Sequence, residues 1–149
     1  MRNRLVAGLA GMVVVAGLVI AQQKVSKKEY DAFMSIQNAP SPDLQIEMAD
    51  KFVTGFPDSG LKSVALFLAA NAAERKGDAI KAIVYAQSCL EADPKNFQAM
   101  IMLSGELARG TRENDLDKEE KLTRADKLAN EALLAVKNDA IDGAAVIAM

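Results

Sequence analysis

Apolar residues recur every three or four positions along most of this chain, and short clusters of Gly, Pro, Asn and Asp interrupt them. That period predicts a succession of amphipathic helices. The first runs from Lys27 to Gln37, with Tyr30, Phe33, Met34 and Ile36 at helical spacing. Asn38-Ala39-Pro40-Ser41-Pro42 breaks it and starts the next, with Ser41 as N-cap and Pro42 at the first helical position. Leu44, Met48 and Phe52 fall on one stripe there, beside Ile46, Ala49 and Val53. Gly55 ends this helix and Phe56-Pro57-Asp58-Ser59 makes the turn.

Two helices fill the next stretch. Leu61 to Lys76 directs Ala65, Leu68, Ala69, Ala72 and Ala73 inward, and Gly77-Asp78 punctuates, with Asp78 capping the second helix. In that second helix Ala82, Ala86 and Cys89 place small residues on one face, while Ile80, Ile83, Val84 and Leu90 supply bulk around them. Small residues let two helices approach closely where a Leu would hold them apart. Leu90-Glu91-Ala92-Asp93-Pro94 closes the unit. Asn96 caps a further helix carrying Met100, Leu103, Ser104 and Leu107, and Arg109-Gly110 ends it. After an insertion at Thr111 to Asp117, Asp117 with Glu120 forms a capping-box-like start, and the pattern resumes at Ala125, Ala129, Ala132 and Leu133. A last unit is expected beyond Asn138, ending on the apolar run Gly143 to Met149. Helical arrays end in a polar outer face, so the expectation is a fragment or a last helix that docks on something.

The layout of Ser63 to Asn96 resembles the tetratricopeptide repeat. Leu66 stands at the repeat's large apolar position, Ala69-Ala70 at its Leu-Gly pair and Ala82 at its small packing residue. The resemblance implies an all-α fold, a right-handed α-α superhelix of helical hairpins (an α-solenoid). Residues 27–57 form a degenerate repeat, 63–96 a clear one, 97–137 one with an inserted loop, and 140–149 a truncated one. It also implies a groove for another protein, a peptide or an amphipathic helix, lined by first-helix residues. These are Val64, Phe67, Asn71, Glu74 and Arg75, then Gln98, Ile101, Gly105, Ala108 and Arg109. Of the family's carboxylate clamp only Asn71 is kept; Phe67 and Met102 stand at the other two places, so that clamp is not expected. For Phe67 and Ile101, packing against adjacent helices competes with groove exposure.

Residues 1–21 read separately. Arg2 and Arg4 precede the uncharged apolar run Leu5 to Ile20, and Val19-Ile20-Ala21 offers small residues where a signal peptidase reads, leaving 22–149 as the repeat domain. The expectation is export to the periplasm or outside. The alternative is an uncleaved inner-membrane anchor at 5–20, although that run is short for a span of about twenty residues.

Composition narrows the function. Among 149 residues, 50% are apolar and 5% aromatic, which favours helices built on Ala and Leu. A formal charge of -2 with mixed signs offers no basic face, so nucleic acid is not an expected partner. With no histidine the usual general base and commonest zinc ligand are missing, and no catalytic residue, cofactor or metal is expected. Asp115, Asp117 and Glu119 alternate as in an EF-hand loop, but Glu120 sits where that loop needs Gly and Asp126 where it needs Glu. A solvated charged loop is the expectation there. Cys89, the single cysteine, reads as a small buried hydrophobe. A non-catalytic binding or scaffolding role follows. The alternatives are an end-to-end oligomerising spacer that self-associates through its last helix, and a docking arm of a larger enzyme.

Overall fold

The computed structural model describes residues 25–147, with side-chain surroundings as far as 137. The expected leader (1–21) and the alternative anchor (5–20) lie outside the described residues. Within them the chain is all-α, without strands. The helices are α1 (Lys27–Gln37), α2 (Pro42–Gly55), α3 (Lys62–Arg75), α4 (Ala79–Ala92), α5 (Phe97–Gly110) and α6 (Lys118–Ile147). Each packs chiefly against its neighbours in sequence, and α1 also touches α3. No described helix is long and apolar enough to cross a membrane.

Local chemistry sets the boundaries. Ser41, Asp78 and Asn96 accept the backbone N–H groups of Leu44, Lys81 and Ala99 as N-caps. Ser26 forms a full capping box with Glu29. Gly77 has φ +73°, and the bonds Gly77 N–H to Glu74 O and Asp78 N–H to Ala73 O satisfy the last carbonyls of α3. Only a residue without Cβ adopts that turn cheaply.

The interior is built from small side chains. Ala65, Ala69, Ala70, Ala72 and Ala73 of α3 are fully buried, as are Ala82, Ala86 and Cys89 of α4. Phe33, Ile36, Ala49 and Phe52 join Ala65 and Ala69 in one cluster, with Phe33 edge-on to Phe52 at 5.9 Å. Ala70, Ala86, Leu103, Leu107 and Ala125 belong to a second, and Leu66, Cys89 and Ala99 form a third. Tyr85 packs against all three, and its hydroxyl donates to the Asp50 carboxylate at 2.9 Å. Burial first, and then the bond to Asp50, pushes the phenol up to about 12. Burial also pushes the Cys89 thiol up to about 12, with the Asp93 carboxylate adding to it, and the thiol donates to Ser63 O at 3.2 Å.

Three expectations need correction. Ile80 and Val84 do not supply bulk to the core: they are 77% and 55% exposed, because the small-residue face of α4 is the one pressed onto its neighbours. Tyr30 likewise faces outward. No break follows Asn138: α6 continues to Ile147. That stretch holds no proline, and Gly143 alone costs a helix only about 1 kcal/mol.

Two outcomes follow. Ala82→Leu overpacks a site with no free space and should destabilise by about 1–3 kcal/mol in urea unfolding. Raising the pH should lower the melting temperature progressively between about 9 and 12. The folded thiol and phenol hold their protons past the point where the unfolded groups release them, so their stabilisation is complete below the unfolded values and lost on rising through the folded ones. Cys89→Ala should flatten the lower part of that decline.

Candidate protein-binding groove

α3 and α5 begin at residues 62 and 97, so equivalent side chains face each other 35 residues apart. Between the two helices lies an open depression of about 420 Å³ lined by Phe67, Glu74, Phe97, Gln98, Ile101, Met102 and Arg109. Five of the ten expected groove residues therefore come together: Phe67, Glu74, Gln98, Ile101 and Arg109. Val64 lies beside them, 37% exposed, in a larger depression of about 690 Å³ bounded by the α2–α3 and α4–α5 connections. Gln98 lines both, so the two adjoin.

The floor is apolar. Ile101 is 54% exposed and makes little use of its side chain in packing. Phe67 differs: it is half-buried and packs against the second and third clusters, so one ring face supports the core while the depression takes the rest. Asn71 is half-buried and its Nδ2 donates to Phe67 O at 3.2 Å.

Neither expected arginine is a free rim charge. Arg75 donates to Oε1 of Gln45, a buried α2 residue whose Nε2 donates to Ile36 O at 3.1 Å. One amide thus ties the ends of α1 and α3 to α2. Arg109 pairs with Glu106, which is only 6% exposed, and with Glu74 at 3.3 Å across the depression. The bond to Glu106 is the larger reason the guanidinium is held above its ordinary value. Gly105 leaves room for the guanidinium. A Cβ there would stand 3.1 Å from Arg109 Nη1, tighter than ordinary contact.

Glu106, Gln45, Tyr85 and Phe97 escaped the sequence reading. Glu106 could have been found from its place three residues before Arg109, the spacing of helical ion pairs. In the inserted loop, the Asp115 carboxylate accepts from Arg112 N–H at 3.1 Å and from Lys121 Nζ at 3.2 Å, and Asp117 pairs with Lys121 at 2.9 Å. The backbone bond first, and then Lys121, lowers the Asp115 carboxyl below its usual range. Asp117 thus spends its side chain on Lys121 rather than on a helix cap. Among the described residues no group of three or more His, Cys, Asp or Glu side chains could hold a metal ion.

No protein-family model and no curated protein matches this sequence.

Removing Arg109 leaves the Glu106 carboxylate buried without its partner. Arg109→Ala should therefore destabilise by about 1–3 kcal/mol in urea unfolding. Glu74→Ala, which removes only the exposed partner, should stay within about 0.5 kcal/mol of the parent.

Proposed function

We propose that this chain is a tetratricopeptide-type repeat protein, exported to the cell envelope, that holds a peptide or amphipathic helix of another protein between α3 and α5. The observation that carries the reading is the apolar-floored depression, in which Phe67 and Ile101 stand together with Gln98 at one side and the Glu74–Arg109 pair at the other. A soluble surface keeps large apolar side chains exposed together mainly where something docks. A helix or extended segment would bury one apolar face on Ile101 and Phe67 and bond its polar edge to Gln98. The superhelical, tetratricopeptide assignment draws on the pattern of Ser63 to Asn96 and on helices that pack in chain order. Export draws on Arg2, Arg4 and the apolar run that ends at Ala21. The role is non-catalytic in this reading: the groove supplies contact area and a closed ion-pair network, with no base poised beside a nucleophile.

A photo-crosslinking residue at position 101 identifies the partner in cells. Titrating that partner should then show Ile101→Ala weakening binding about tenfold, as expected for an interface anchor. Lys81→Ala, on exposed α4, should leave the affinity unchanged. Ile101 serves better than Phe67 because its truncation spares the core. Equal affinities for both variants would move the binding surface away from this groove.

A further inference from the structure

The spacing Ala82-Ala86-Cys89-Leu90 of α4 returns in α6 as Ala125-Ala129-Ala132-Leu133. The first and third places behave alike: Ala82 and Cys89 are fully buried, and Ala125 and Ala132 are 5% and 1% exposed. The second and fourth places diverge. Ala86 is fully buried with Leu103 of α5, and Leu90 packs against the same cluster. Ala129 is exposed and Leu133 is 67% exposed. α2 repeats the covered case, with Ala49 at 1% exposure against Ala65 and Ala69 of α3 and Val53 packed beside it. A surface that this chain twice covers with its next helix therefore stands open on α6 among the described residues.

The chain also holds a helix of the covering kind with its own face free. The covering helices α3 and α5 begin at 62 and 97, and α1 begins at 27, the same interval earlier. The place of fully buried Ala65 is taken in α1 by Tyr30, which is 54% exposed. Both helices carry charges of both signs, Lys27, Lys28 and Asp31 on α1 and Lys127 and Glu131 on α6, so no single-sign field keeps them apart.

We propose that α6 of one copy receives α1 of a second copy, with Leu133 against Tyr30, repeating between molecules the α2–α3 and α4–α5 contacts made within one. The two mating surfaces differ, so each added copy presents a fresh end and association proceeds head to tail. This contact is independent of the groove between α3 and α5.

Sedimentation velocity on the purified full chain tests it, with wild type, Leu133→Glu, Tyr30→Glu and an equimolar mixture of the two variants run across a concentration series. Both positions are exposed, and circular dichroism checks that each variant keeps its helicity. Wild type should grow in mass with concentration. Each variant should stay at its smallest species, having lost one of two mating surfaces. The mixture should form a dimer and stop, because one intact α6 surface meets one intact α1 surface. A wild type that stays monomeric throughout overturns the proposal. So does association that survives both substitutions, which would assign it to another segment such as residues 5–20. A mixture that forms no dimer overturns the head-to-tail arrangement.

Discussion

Close approach at the α3–α4 crossing is the constraint on which the rest of this structure depends. Nine of the side chains that meet there and at the adjoining crossings are alanine or cysteine with no accessible surface. Helix backbones can come together at such a site, but each alanine removes little apolar area from water, and area is what burial rewards. Stability must then come from many modest contacts. The room between helices also dictates where bulk can go. Phe52, Ile36 and Leu103 are the largest side chains fully buried. Ile80, Val84, Ile101 and Leu133 remain at the margins. The exposed Ile101 of the groove floor is one result of that packing rule.

Polar ties complement that thin core. Tyr85 to Asp50 and Arg109 to Glu74 each join side chains 35 residues apart, linking α4 to α2 and α5 to α3. Gln45 joins three helices through one amide. These bonds are directional where alanine contacts are not. They fix how one hairpin sits on the next, and the small-residue faces then supply closeness without specifying rotation. Glu106 shows the cost of such a device, since a carboxylate at 6% exposure is tolerable only while Arg109 remains over it.

Helix positions were legible because the signals were local. Ser41, Asp78, Asn96 and Gly77 act on their immediate neighbours, and each lies where its chemistry requires. On α4 the small face of Ala82, Ala86 and Cys89 was read as the close-packing one and is the buried one, but its bulky neighbours Ile80 and Val84 lie outside the core. The end of α6 was misread because a polar pair, Asn138-Asp139, imitated a boundary that nothing covalent enforces. In the groove, Phe67, Glu74, Gln98, Ile101 and Arg109, which the repeat resemblance singled out, line one depression. The internal engagement of Arg75 depends on Gln45, which only the fold brings to it, whereas Glu106 stands one helical turn before Arg109 and was within reach of the sequence.

Packing in chain order has a kinetic side. When each helix rests chiefly on the helices next to it in sequence, few contacts require closing a long loop. Chains with such local contacts fold fast, because little loop entropy is spent before the contacts form. Cooperativity is then strongest where a helix has partners on both sides. α3 and α4 hold two flanks each, whereas α6 leans chiefly on α5 among the described residues. Opening therefore begins at the ends and works inward, and amide exchange along the chain should slow toward Ala69 and Ala86, with α6 beyond its contact with α5 exchanging first.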